Sequence, residues 1–256
     1  AARRAGELMV RQMNQLESLQ VVEKSRNDFV TQVDQAAEAT IIETIREYYP
    51  DHAILAEESG AAGENEYQWI IDPLDGTTNF LHGFPHYAVS IALSVKGVIT
   101  QAVVYNPASN DLYTATKGAG AYLNDARLRV GKRLLLKSAL VGTGFPFKEH
   151  AHLDAYLGML RDIMQNSAGV RRAGSAALDL AFVAAGRLDT FWEIGLAPWD
   201  IAAGSLLITE AGGHIGDLQG GKDYLKSGNI VGGNLALHEA LIKQIAPYLT
   251  PALKAK

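Results

Sequence analysis

Two carboxylates stand three residues apart in Asp72–Phe80, DPLDGTTNF, directly behind the apolar run Trp69–Ile71. Pro73 lacks an N–H and has a fixed φ, so the chain is expected to leave the strand there in a defined direction, with Asp72 and Asp75 converging. Carboxylates held together in a turn repel one another unless cations lie between them, and an oxygen-rich, cysteine-free set suits Mg²⁺. Gly76, Thr77 and Thr78 then enter a short helical turn whose free amides and positive dipole end can receive phosphate oxygens. Taken alone, Asp-Pro and Asp-Gly are also ordinary turn formers.

Two further acidic groups bear on that choice. Glu57 and Glu58 end the strand-like AILAEES, at the kind of sheet edge where open α/β folds place ligands. Downstream, APWDIAAG sets Asp200 after a Trp at the mouth of a helix. An isolated Asp there is an N-cap and an isolated Glu pair a solvated surface. Three acidic element ends in one chain favour a metal site.

The elements that must position these residues can be traced by periodicity. Helical spacing runs from Ala1 to about Leu19 and again from Val33 to Tyr49, where Pro50 and Asp51 stop it. AILAEES and YQWIIDP read as strands ending in acids, and YAVSIALSV, GVITQAVVYNP, DLYTATKG and GAYLN as an antiparallel meander. Beyond Lys137 the pattern changes: a strand at ALVGTGFPF, helices at Leu153–Gln165 and AALDLAFVAAG, a strand at DTFWEIG and a helix at DIAAGSLLITEAG. A Gly-rich hairpin region, Gly212–Gly233, and a last helix from about His238 to Leu249 follow. The expected organisation is an α+β half, residues 1–137, carrying most acidic groups, and an α/β half, residues 138–256, carrying Glu193 and Asp200.

Composition narrows the chemistry. With 48% hydrophobic and 20% charged residues, the 256-residue chain is an ordinary globular one. No cysteine is present, which removes disulfides, thiolate nucleophiles and Cys-ligated zinc and points to a reducing cytoplasm. No apolar run reaches 18 residues, so no membrane span is expected. A net charge of −5 argues against direct nucleic-acid binding, and anionic substrates would need local help from metals.

Taken together, Asp34 in FVTQVD, Glu57 in EES, DPLDGTTNF from Asp72 and WDIAAG from Trp199 resemble the inositol monophosphatase family, in particular its bacterial SuhB-type branch, over essentially the whole chain. The resemblance implies a layered αβαβα sandwich of the inositol monophosphatase/fructose-1,6-bisphosphatase type and Mg²⁺-dependent, lithium-sensitive phosphomonoester hydrolysis, with two or three Mg²⁺ per site. Glu57, Asp72 and the Leu74 carbonyl would hold one ion, and Asp72, Asp75 and Asp200 a second. Asp34, Thr77 and Glu57 would be catalytic, Asp34 pairing with Thr77 to orient the attacking water, while the Gly76 and Thr77 amides receive the phosphate. Read without the family, Asp34 near a helix start is equally a dipole partner.

Glu193 in FWEIG occupies the place where inositol phosphatases of this family carry a Glu that accepts from ring hydroxyls, so the resemblance favours inositol 1-phosphate. Asp75, Ala176, Glu193 and Asp200 would contact substrate, with Gly174 and Ser175 forming another wall. Fructose-1,6-bisphosphatase, NADP phosphatase and 3′,5′-bisphosphate nucleotidase are alternatives on the same scaffold. The family also implies a homodimer near Arg171 and Arg172, and bacterial members are associated with ribosomal RNA transcription, so a transcription-machinery protein is a possible partner. Other signals carry less: Gly83 and Pro85 oppose the helix that would let His82 and His86 form a zinc pair, and KGAGAY reads as a hairpin.

Overall fold

The computed structural model describes residues 1–13, 21–25, 28–147 and 150–254. Helix α1 (Ala2–Gln12) is followed by the paired strands β1 (Val21–Ser25) and β2 (Asp28–Thr31) and by helix α2 (Gln32–Tyr48). The expected extension of α1 to Leu19 lies outside the described residues. Thr31 caps α2 by accepting from the Val33 amide, and Asp34 at the third helical position closes the reciprocal capping box.

Next come β3 (Ala53–Ala56), β4 (Gly60–Ala62), β5 (Tyr67–Asp75), the single-turn α3 (Thr77–Leu81), β6 (Ala88–Val95), β7 (Val98–Asn106), β8 (Asp111–Thr116), β9 (Gly120–Leu123) and β10 (Ala126–Arg127). They form one sheet in the order β10-β9-β8-β7-β6-β5-β3-β4. Its β6–β9 run is the expected antiparallel meander, extended in the same sense by β5 and β10, while β3 lies parallel to β5, which places Glu57 and Asp72 at the same sheet edge. The KGAGAY segment turns between β8 and β9, with the Glu210 carboxylate accepting from the Gly118 and Gly120 amides.

A second sheet, ordered β12-β11-β13-β15-β14, is built from β11 (Leu140–Thr143), β12 (Gly169–Arg171), β13 (Thr190–Glu193), β14 (His214–Gly216) and β15 (Ile230–Gly233). Helices α4 (Leu153–Asn166), α5 (Ala176–Ala184), α6 (Pro198–Glu210), α7 (Tyr224–Ser227), α8 (Leu235–Ile245) and α9 (Pro251–Lys254) alternate with its strands. The Gly-rich region is not a simple hairpin, because α7 stands between β14 and β15. The last long helix starts three residues earlier than expected: the Asn234 side chain accepts from the Leu237 amide and caps it, and Pro247 confines the end to a 3-10 turn over Ala246–Tyr248.

The layers follow from which faces are apolar. Helices α1 and α2 cover one face of the first sheet with Met9, Ala37 and Ile41, while α4 and α8 cover the outer face of the second. Between the sheets lie α5 and α6, apolar almost all round and rich in alanine, as a helix enclosed on several sides must be. They touch closely: a Cβ on Gly204 of α6 would stand 2.5 Å from the Leu180 Cβ of α5. The resulting αβαβα sandwich brings the N-termini of α5 and α6 to the acidic edge of the first sheet.

Candidate active site

The turn carrying the motif is built inside the sheet. Asp72 pairs with Ser90 and Asp75 with Ala88, so β5 holds one extra residue between them and bulges. The chain therefore does not leave the sheet at Pro73, as its lack of an N–H led us to expect. Pro73 occupies the bulge, where a ladder bond is interrupted and a missing donor costs nothing. The Leu74 amide donates to Asp72 Oδ1 at 2.9 Å. Gly76 then takes φ +94°, and a Cβ there would approach the His86 carbonyl at 3.0 Å, so glycine permits the step from strand into α3.

The three carboxylates Asp72, Asp75 and Asp200 converge, each offering an oxygen within 4.8 Å of the others. Asp72 is buried and its proton affinity is pushed well above the ordinary carboxylate range, by desolvation first and then by Glu57, Asp75 and Asp200. Glu57 follows β3, its amide donating to the Ile71 carbonyl at 3.1 Å, and its side chain adds to the rise of Asp72. Asp75 Oδ2 accepts from the Ser175 hydroxyl at 2.6 Å and the Ala177 amide at 2.7 Å, which ties the bulge to the start of α5. Asp200 Oδ2 accepts from the Ala197 amide at 2.7 Å, and the Ser90 hydroxyl donates to the Trp199 carbonyl at 3.0 Å, which docks α6 onto β6. Helix α6 begins at Pro198 rather than at Asp200, so Asp200 lies in its first turn. A buried Asp72 whose charge neighbours among the described residues are the acids Glu57, Asp75 and Asp200 suits hard divalent cations, with Glu57, Asp72, Asp75, Asp200 and the Leu74 carbonyl as the oxygen donors at hand.

On the other side of the bulge, the Thr77 hydroxyl lies 3.0 Å from Asp34 Oδ1 and 3.0 Å from the Leu74 carbonyl. Asp34 Oδ2 accepts from the Thr31 hydroxyl and amide at 2.6 and 2.8 Å. Its carboxyl is raised by burial, against the pull of these hydrogen bonds. Asp34 is thus both a helix-capping group and the partner of Thr77. One residue escaped the sequence reading. Glu38, one turn beyond Asp34 on α2 and buried, accepts from the Glu58 and Ser59 amides at 2.8 Å each, so the same helix holds Thr77 and the turn that bears Glu57. The i, i+4 spacing of Asp34 and Glu38 was the available signal.

These groups open on a cavity of about 740 Å³, within the range of small-molecule sites. Its wall includes Gly76, Thr77, Gly174, Ala176, Asp179 and Glu193. Glu193 ends β13 against Gly144, where any side chain would collide with its carboxylate. Burial and the charge of Asp179 push Glu193 well above the usual carboxylate range, opposed by Arg172. Arg172 stacks on Phe145 and Phe147, its guanidinium 5.3 and 5.1 Å from the ring centres, and lines the cavity. Arg171 lies in the edge strand β12.

The model of the inositol monophosphatase family matches residues 1–250. The chain is 52% identical to the Nus factor SuhB of Pseudomonas aeruginosa, over 99% of this chain and 96% of that protein. Among solved structures, the extragenic suppressor protein suhB of Bartonella henselae superposes with a TM-score of 0.93 at 44% identity, covering 95% of each chain. The inositol monophosphatase of Anabaena superposes with a TM-score of 0.84 at 36% identity, over 100% of this chain and 95% of that one. With a family match over nearly its full length and a shared fold, the chain belongs to the inositol monophosphatase family.

Proposed function

We propose that the protein is a Mg²⁺-dependent, lithium-sensitive phosphomonoesterase that hydrolyses inositol 1-phosphate to inositol and phosphate. The observation that carries this reading is the convergence of Asp72, Asp75 and Asp200 on one side of the bulge with the Asp34–Thr77 pair on the other. Two or three Mg²⁺ held by Glu57, Asp72, the Leu74 carbonyl, Asp75 and Asp200 would supply charge neutralisation on the phosphoryl and leaving oxygens and an acidified water. The Gly76 and Thr77 amides would receive the phosphate at the start of α3. The Thr77 hydroxyl would donate to Asp34 and accept from the attacking water, and Asp34, raised by burial, is suited to take up the proton. Glu193, with Asp75, Ala176 and Asp200, would meet the alcohol portion, Glu193 accepting its hydroxyls.

The test is Glu193→Ala with inositol 1-phosphate, fructose 1,6-bisphosphate and adenosine 3′,5′-bisphosphate. We expect the wild type to prefer the inositol ester and the variant to lose that preference by about tenfold or more, the cost of a lost hydrogen bond to a charged group. Preference of the wild type for either competitor would overturn the substrate assignment and leave the phosphatase assignment standing.

The name of the Pseudomonas relative favours a second role, as a protein partner of the transcription machinery in the cytoplasm. A net charge of −5 favours protein contact over direct RNA contact. Capture of RNA polymerase or Nus-type factors by both wild-type and Asp75→Asn protein is the expected result, and absence of capture by either would remove this role. The homodimer near Arg171 and Arg172 belongs to the same proposal and is tested by sedimentation.

A further inference from the structure

Behind the Glu193 wall, two buried polar atoms face each other unpaired. His86 Nε2 and Asp179 Oδ1 are 4.0 Å apart, and neither has a hydrogen-bond partner among the described residues. Burying such groups without partners is costly, and an unsatisfied pair in a native core calls for a reason. The backbone that carries them is held. The Asn79 side chain donates to the His86 carbonyl at 2.7 Å and to the Ala173 carbonyl at 2.9 Å, and the His86 ring stands edge-on to Phe182. Asp179 lies on α5, four residues beyond Ser175 and two beyond Ala177, which grip Asp75, and it lines the cavity beside Glu193.

We propose that His86 and Asp179 close into a hydrogen-bonded pair when substrate binds, leaving the second oxygen of Asp179 to accept a hydroxyl of the polyol beside Glu193. The inference rests on the polyol-phosphate reading above and adds a specificity-determining carboxylate to it, with His86 as its positioning residue. Burial lowers His86 to about 4 and raises Asp179 well above the usual range, Asp75 adding to the rise and Arg172 opposing it. One proton shared by the pair satisfies both tendencies. Wherever it sits, one Asp179 oxygen stays an acceptor. The groups acting on the pair are Asp75, Glu193 and Arg172, with Phe84 and Phe182 as apolar neighbours.

Removing both partners at once avoids leaving one buried and unpaired, so the double variant His86→Phe with Asp179→Leu is expected to fold. The measurement is kcat and KM on inositol 1-phosphate and on p-nitrophenyl phosphate, which has no hydroxyls. We expect the KM ratio between the two esters to shift about tenfold or more against the inositol ester, with Asp179→Asn retaining much of the wild-type ratio. An equal change on both esters, or none, overturns the inference while the phosphatase reading stands. Failure of the wild type on the inositol ester alone overturns both the polyol reading and this extension of it. Independently of turnover, the ¹⁵N signal of the His86 imidazole should move when myo-inositol is added to the Mg²⁺-loaded wild type, and a resonance that does not respond would contradict the pair.

Discussion

Thr77 and Asp34, 43 residues apart in the chain, meet at 3.0 Å where the first turn of α2 faces the first turn of α3. The contact joins a helix-capping carboxylate to the residue that follows the motif glycine. Asp34→Asn keeps an acceptor for Thr31 and loses the capacity to take a proton. Turnover should fall by about 10²–10⁴-fold. Mg²⁺ should still raise the melting temperature of this variant, and loss of that response would move Asp34 into the metal set.

Asp75 is held by Ser175 and Ala177 while it faces Asp72 and Asp200. Asp75→Asn should reduce turnover to near background. Its circular dichroism spectrum should match the wild type, because the substitution also relieves repulsion among carboxylates. A variant with full activity would contradict the site assignment.

Glu38 should bear on metal affinity without lying among the proposed ligands. Glu38→Ala leaves the Glu58 and Ser59 amides without their acceptor and frees the turn that carries Glu57. The Mg²⁺ concentration for half-maximal activity should rise about 10–100-fold, the usual effect of losing a group that orients a ligand. Glu38→Gln, which preserves one acceptor, should rise less. Equal, unchanged Mg²⁺ requirements in both would reduce Glu38 to a purely structural role.

The buried acids set a pH dependence of known sign. Asp72, Asp179 and Glu193 have raised affinities in the folded protein, so between the unfolded values near 4 and those raised values the native state holds more protons. Stability of metal-free protein is therefore greatest on the acid side of that window and falls as pH rises through it. Mg²⁺, bound only by the folded site as proposed, should offset the loss: at about 100 times its dissociation constant it would add about 2.7 kcal/mol, or about 5–10 °C in Tm for a chain of this size. Thermal scans from pH 7 to 9 with EDTA or Mg²⁺, above the range where buried, neutral His86 adds stability as pH rises, check both trends, and a metal-free Tm that climbs with pH there would contradict this account.

Much of this arrangement was legible in the sequence because it is local. The β5 and β3 strands, the meander and Asp72, Asp75 and Asp200 sit on periodic segments with acidic ends, whereas the role of Asp34 was reached only through the family resemblance. What escaped depends on neighbours distant in the chain. The pairing of β5 through Asp75 is a property of its partner β6, so Pro73 alone misled. The grip of Ser175 and Ala177 on Asp75 spans about a hundred residues and has no periodicity to reveal it. The approach of His86 to Asp179 likewise depends on α5 packing beneath the first sheet, while the sequence offered His86 only a spacing to His82 that Gly83 and Pro85 oppose. Glu38 was within reach, since it repeats the Asp34 position one helical turn later.

The most direct test of the central claim is phosphate release from inositol 1-phosphate by the wild-type protein, measured with Mg²⁺, with Mg²⁺ plus Li⁺, and with EDTA. We expect turnover with Mg²⁺, suppression by Li⁺ and none with EDTA. Release that persists undiminished in EDTA, or no release under any of the three conditions, would contradict a metal-dependent inositol phosphatase.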